Sequence, residues 1–243
     1  MPGPLSVKNL SVHYHLQDEP ALSDVSYEAA PGHLTAIIGP NGAGKSTFLK
    51  AVMGLIPYTG EVKVFGQPLK DQKHKIAYMP QRSSVDWDFP ISALDVAAMG
   101  LYGQIGFMRR VTKQHKTEAL SYLDQVDMAD YADRQIGQLS GGQQQRVFLA
   151  RTLAQNADLY FMDEPLAGVD ITTEKIIISI LEKLKKDGKT ILVVHHDLQS
   201  VGNFFDKALL LNQTKIAEGP AKKVLTPDNL AKAYKTPVLT DVA

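Results

Sequence analysis

The chain of 243 residues contains no cysteine. That excludes a disulfide-stapled scaffold and any thiolate metal centre, and it suits a reducing compartment. Neither sign of charge is in excess: Lys plus Arg number 26, and so do Asp plus Glu. A balanced chain with no basic stripe offers no field to draw in nucleic acid or an anionic membrane. No run approaches the roughly 20 apolar residues that a membrane-crossing helix requires. The opening residues, M-P-G-P-L-S-V-K-N-L, hold no apolar stretch of signal-peptide length. The expectation is a cytosolic chain, with any membrane spanned by a partner.

What is present describes an ordinary globular protein. Apolar residues make up 44% and charged residues 21%, enough for a sizeable core and too apolar for a disordered chain. Strand-like runs recur at 5–14, 21–29, 34–38, 61–65, 75–79, 159–162, 190–194 and 208–211. The earliest alternate, as in V-K-N-L-S-V, which suits half-exposed antiparallel strands. L-T-A-I-I, L-Y-F-M and T-I-L-V-V are nearly continuous apolar runs, which suit parallel strands buried on both faces. Helical patterns follow them at 45–53, 173–185 and 198–204. From about Ser92 to Ala154 the pattern is helical. Residues 112–126 form an amphipathic helix with Leu120, Leu123 and Val126 on one face. The reading is an α/β chain with an N-terminal antiparallel β-subdomain. A helical insertion at 85–155 divides a core of 1–84 and 156–243.

Gly39-Pro40-Asn41-Gly42-Ala43-Gly44-Lys45-Ser46-Thr47 fits the phosphate-loop pattern, placed after a buried strand and at a helix start. Glycines let backbone N–H groups converge on phosphates, and the helix N-terminus adds partial positive charge. Lys45 is placed to reach the β/γ-phosphates of ATP, and the Ser46 hydroxyl to ligate Mg²⁺. A second apolar strand ends in Asp163 and Glu164. Strand alternation parts their side chains unless the chain turns, so they take separate jobs. Asp163 suits Mg²⁺, and Glu164 suits an attacking water. The base-reading pattern of GTPases, N-K-x-D, is absent: 212–215 read N-Q-T-K.

Leu139-Ser140-Gly141-Gly142-Gln143 resembles the L-S-G-G-Q signature of ATP-binding-cassette (ABC) ATPases. The helical pattern continuing to Ala154 puts Ser140 at a helix N-terminus, a second anion-attracting tip. The resemblance covers the chain from Leu5 to about Tyr234 and implies a P-loop NTPase (RecA-like) core. It further implies a head-to-tail homodimer. Ser140, Gly141, Gly142 and Gln143 of one copy would close over the ATP of the other. Gln81 stands where the family's Q-loop glutamine touches Mg²⁺ and water. Ala167-Gly168-Val169-Asp170 resembles the D-loop, with Asp170 kept and the usual serine replaced by Ala167. In Val194-His195-His196-Asp197, His196 aligns with the switch histidine and His195 with the usual threonine. Adjacent histidines on a strand point apart, which disfavours a metal pair. Tyr14 falls where the family stacks an aromatic on adenine, and His13 and His15 beside it are read as solvated.

V-D-W-D-F-P at 85–90, V-H-H-D at 194–197 and the closing T-P-D-N-L resemble the manganese/zinc/iron chelate uptake subfamily, manganese members most closely. That implies an ATPase on the cytoplasmic face of the cell membrane, held there by permease subunits. It would be served indirectly by an extracytoplasmic metal-binding protein. Trp87, Phe89 and nearby acids would form the surface that receives the permease. The expectation from this ending is a chain with no room for an appended regulatory domain. Rival readings are a zinc, iron/siderophore or haem importer, and a non-transport ABC ATPase. The latter usually carries two cassettes or long coiled coils.

Overall fold

The computed structural model describes residues 2–14, 19–106 and 109–234. The chain begins with β1 (Leu5–Val12), β2 (Leu22–Glu28), β3 (Leu34–Ile38), α1 (Lys45–Val52), β4 (Thr59–Val64), β5 (Gln67–Pro68) and α2 (Leu69–Gln72). It continues with β6 (Ile76–Met79), α3 (Ala93–Met99), α4 (Tyr102–Ile105), α5 (Lys113–Asp124), α6 (Gly141–Ala154), β7 (Leu159–Asp163) and α7 (Ile171–Lys186). It closes with β8 (Thr190–Val194), α8 (Leu198–Phe204), β9 (Lys207–Asn212), β10 (Thr214–Pro220), α9 (Ala221–Val224) and α10 (Pro227–Tyr234). Two compact units result: the described residues of Met1–Lys73 with Leu184–Ala243, and those of His74–Lys183.

The first unit holds an antiparallel sheet in the order β2-β1-β4-β5. In β1 the side chains of Val7, Leu10 and Val12 are buried, while Lys8 and Asn9 are both exposed. The alternation V-K-N-L-S-V therefore contains one extra residue. Asn9 takes it up with a positive φ of 52° and a shift of register, a β-bulge. Its amide side chain donates to Asp24 Oδ1 at 2.6 Å. The strand ends at Val12, two residues short of the 5–14 run, so Tyr14 lies beyond the sheet.

In the same unit β3 runs parallel to β8 and to β9, and β10 turns back antiparallel on β9. Every residue of β3 and β8 is buried. Burial of each Ile, Leu or Val there contributes about 1.5–3 kcal/mol, against the entropy of ordering the chain. Phe48 of α1 is fully buried and meets Tyr27 edge-on, with ring centroids 6.1 Å apart. That contact and buried Leu49 fix α1, and with it the loop in front of it.

In the second unit β6 and β7 pair in parallel, with Tyr78 opposite Phe161. Among the described residues between 85 and 155, every named element is helical. Helix α5 starts on a capping box: Thr112 Oγ1 accepts from the N–H of His115, whose ring Nδ1 accepts from the N–H of Thr112. Its buried face is Ala119 and Leu123, with Val126 just beyond. Leu120 is 38% exposed, which corrects the expected face of Leu120, Leu123 and Val126. The small Ala119, four residues before Leu123, lies on the inner side instead. No helix among the described residues is long and apolar enough to cross a membrane.

Candidate functional site

The loop 39–47 leaves β3 and opens α1. Gly44 is the N-cap of α1 and has φ 86°, where any Cβ would lie 2.5 Å from Leu22 Cδ2 and 2.6 Å from Ala21 O. Only glycine suits both the dihedral and the space. No side chain caps this helix, and its first turn carries no acid. No acid of its own first turn therefore offsets its N-terminal dipole. Lys45 is buried and folds back over the loop, donating to Gly39 O and Pro40 O, both at 2.9 Å. The Tyr14 hydroxyl lies 3.3 Å from Thr47 Oγ1, so that half-exposed ring stands beside the first turn of α1. His13 is exposed, and His15 lies outside the described residues.

In the second unit β7 ends on Asp163, which is buried. Glu164 follows with φ 53°, so the chain turns there and strand alternation no longer sets where its side chain lies. Gln81, just past β6, donates from Nε2 to Glu164 Oε2 at 2.9 Å. A cleft of about 370 Å³ opens beside this pair, lined also by Arg82, Ser83, Trp87, Ala167 and Gly168. Burial, and then the charge of Asp163, push the Tyr78 hydroxyl up to about 12, so it stays a neutral phenol.

Ser140 caps α6. Its Oγ accepts from Gln143 N–H at 3.3 Å, and Gln143 Oε1 accepts from Ser140 N–H at 2.9 Å. Gly142 lies against the start of α7: a Cβ on it would stand 2.8 Å from Thr173 Oγ1 and 2.9 Å from Asp170 Oδ2. The Asp170 carboxylate accepts from Thr173 N–H at 2.9 Å and from the Thr173 hydroxyl at 3.0 Å. The Thr173 N–H, and then its hydroxyl, hold the Asp170 carboxyl below the usual range.

A model of the ABC transporter family matches residues 22–167, more than half of the chain. The chain belongs to that family. It is 55% identical to the manganese transport system ATP-binding protein MntB of Bacillus subtilis (strain 168) over 232 residues, covering 95% of this chain and 92% of that one. It is 52% identical to the zinc transport system ATP-binding protein TroB of Treponema pallidum (strain Nichols) over 231 residues, covering 95% and 86%. Among solved structures it is similar to the ATP-binding cassette MJ0796, a dimer in a post-hydrolysis state bound to ADP and Pi. The TM-score is 0.79 at 30% identity, covering 89% of this chain and 98% of that one. The cassette has the α/β fold of P-loop NTPases, and it binds and hydrolyses ATP as a subunit of a transporter. Cassettes of this family form dimers and work with membrane permeases.

In the cassette the two adjacent histidines differ. His195 is buried, and its backbone N–H donates to Ile37 O at 3.0 Å. Its Nε2 meets Ser200 Oγ. That hydroxyl spends its one proton on Asp197 O at 3.0 Å, so the bond needs a proton on Nε2. Burial first, and then the neighbouring His196, lower the pKa of His195 to about 4, so it is a neutral ring. His196 is exposed, with its ring centroid 5.7 Å from that of His195.

Sequence reasoning missed the residues just past the signature. Gln144 and Gln145 are buried polar side chains on α6. Gln144 Oε1 accepts from Arg82 Nε at 3.2 Å and Nη2 at 2.9 Å. Gln145 Nε2 donates to Pro165 O at 2.9 Å. Arg146 Nη1 donates to Val126 O and Asp127 O at 3.2 and 3.1 Å. In sequence, Q-Q-Q-R reads as a solvated helix face. The one available signal was a run of three glutamines with no apolar residue where a 14-residue helix must find a buried side.

Proposed function

We propose that the chain powers uptake of a divalent transition metal, manganese foremost, as one of two ATPase copies on the cytoplasmic face of a membrane permease. An extracytoplasmic metal-binding protein would deliver the cargo, which never touches this chain. Support for manganese is the 55% identity to a manganese-system protein. The 52% identity to a zinc-system protein keeps zinc as the second reading.

The observation that carries the chemistry is the start of α1: a helix with no side-chain cap, fronted by a loop into which Lys45 folds. A triphosphate supplies the anion such a tip attracts. Gly39, Pro40, Asn41, Gly42, Ala43, Gly44 and Thr47 would wrap it, Lys45 would turn from the loop carbonyls to the phosphates, and Tyr14 would stack on adenine. Mg²⁺ takes oxygen donors, and the Ser46 hydroxyl, the Asp163 carboxylate and Gln81 Oε1 would hold it; Gln81 Oε1 remains an acceptor because Nε2 serves Glu164. When bound, the ion neutralises phosphate charge. Glu164 would orient and polarise the attacking water, and His196 would bond the terminal phosphate. Ser140, Gly141, Gly142 and Gln143 of the second copy would close over that phosphate, with Asp170 beside the joint. Losing the phosphate removes the contact that holds the dimer shut.

Replacing Glu164 by Gln tests this. Turnover should fall about 10²–10⁴-fold, and ATP should trap a dimer visible by size-exclusion chromatography. Unchanged hydrolysis would remove Glu164 from its role. For cargo, ATPase activity of the permease complex should rise more with Mn²⁺ than with Zn²⁺ or Fe²⁺. A larger response to either rival metal would overturn the manganese reading.

A further inference from the structure

Gln81, Glu164 and the start of α6 lie on one closed circuit of contacts. Gln81 donates to Glu164 at 2.9 Å. The carbonyl of the next residue, Pro165, accepts from Gln145 at 2.9 Å. The preceding helix residue, Gln144, accepts both bonds of the Arg82 fork. Arg82 is covalently next to Gln81, which closes the loop. Gln144 is not free to turn, because its own amide nitrogen donates to Ile136 O at 3.1 Å. That second bond also assigns which end of the amide faces Arg82.

Arg82 is held on its other side as well. Its carbonyl accepts from Trp87 Nε1 at 2.8 Å. The indole lies on Phe148 of α6, with ring centroids 4.8 Å apart, and the guanidinium stands 5.7 Å from the indole ring. The guanidinium covers Gly141, where a Cβ would come 3.1 Å from Cζ. A cation at a helix N-terminus opposes the helix dipole; α6 has no acid in its own first turn, and the Asp170 carboxylate against Gly142 comes from the start of α7. The helix dipole therefore gives no reason for this arginine to stand here.

We propose that Arg82 is a positioning residue that locks the 140–143 tip to the Gln81–Glu164 pair. This rests on the reading above, in which the tip serves the nucleotide of the second copy while Glu164 serves that of its own. One side chain then ties the two nucleotides to each other through a single subunit. When Gln81 leaves Glu164, the fork carries the tip with it.

The test uses the full chain with Arg82→Ala, Arg82→Lys, Gln144→Ala and the Arg82→Ala/Gln144→Ala double variant. ATP-driven dimerisation is measured in the Glu164→Gln background. Turnover is measured, with the native Glu164, in the permease complex. Arg82→Ala should weaken the dimer and lower turnover by about tenfold, the worth of a charge-assisted bond pair. Affinity of the monomer for a fluorescent ATP analogue should not change, because the loop 39–47 is untouched. Lysine should not rescue, since one ammonium cannot reproduce the fork. The double variant should be no worse than the single ones. Wild-type dimerisation and turnover in Arg82→Ala, full rescue by lysine, or additive losses would each overturn the proposal. If Glu164→Gln itself forms no dimer with ATP, the dimer reading fails instead. The turnover of Arg82→Ala then still decides whether the fork positions the pair.

Discussion

Two helix starts in this chain solve the same problem in opposite ways. Every α-helix begins with N–H groups that have no partner inside the helix. At α6, Ser140 and Gln143 satisfy each other reciprocally. At α1, Gly44 has no side chain to offer and none arrives from elsewhere in the first turn. The first start is self-sufficient, and any ligand there competes with or adds to an existing cap. The second start lacks a cap of that kind, and in the function proposed above a phosphate completes it. A glycine-rich tip is thus not one kind of object, and the side chain at the N-cap tells the two apart.

The comparison is most open to attack at Gly44. Gly44→Ala forces a positive φ on a residue with a Cβ and drives that Cβ into Ala21 O and Leu22. The loss should be about 3 kcal/mol, read as a drop in the urea midpoint. A midpoint at the wild-type value would mean that the loop relaxes freely and its glycine is not structural.

A third start, α8, extends the comparison. There the buried His195 ring bonds Ser200 in the first turn. A histidine ordinarily titrates near 6.5, and His195 titrates at about 4. On acidification the unfolded chain takes up the proton first. The stabilisation is therefore complete above pH 6.5, declines as pH falls from 6.5 to 4, and is gone below. The decline should amount to roughly 3 kcal/mol in urea unfolding. His195→Thr should flatten that part of the profile; an unaltered slope would assign it to other groups.

The smallest effect sharpens the α6 side. Ser140→Ala should cost about 1 kcal/mol of stability. Ser140→Asp keeps the cap, so stability should stay within roughly 0.5 kcal/mol of wild type. It also puts a negative charge where a phosphate would come, and ATP-driven dimerisation should fail. If Ser140→Asp still dimerises, the tip meets no phosphate.

Much of the fold was readable from the sequence where one physical cause dominates. The buried runs 34–38 and 190–194 became β3 and β8 to the residue, because strands covered on both faces show no polar interruption. β10 was absent from the strand-like runs. T-K-I-A-E-G-P is mostly exposed, and it is a strand because its partner β9 supplies the ladder. The Asn9 bulge blurred the alternation of β1. The helix starts after the loop 39–47 and at Ser140 were legible because a tight strand-to-helix turn demands glycine and a helix N-cap favours serine. Arg82, Gln144 and Gln145 were not, since a polar side chain reveals its partner only once the chain is folded.

Glu164 carries one more lesson. Its backbone lies at φ 53°, a region that costs a residue with a Cβ about 1 kcal/mol and costs glycine almost nothing. The chain therefore holds its one Gln81-paired acid at a spot where the backbone alone would favour having no side chain at all. A designer ranking substitutions by folding energy would choose glycine here and erase the carboxylate without warning. Under the role proposed for Glu164, local comfort and chemical usefulness pull in opposite directions at this position.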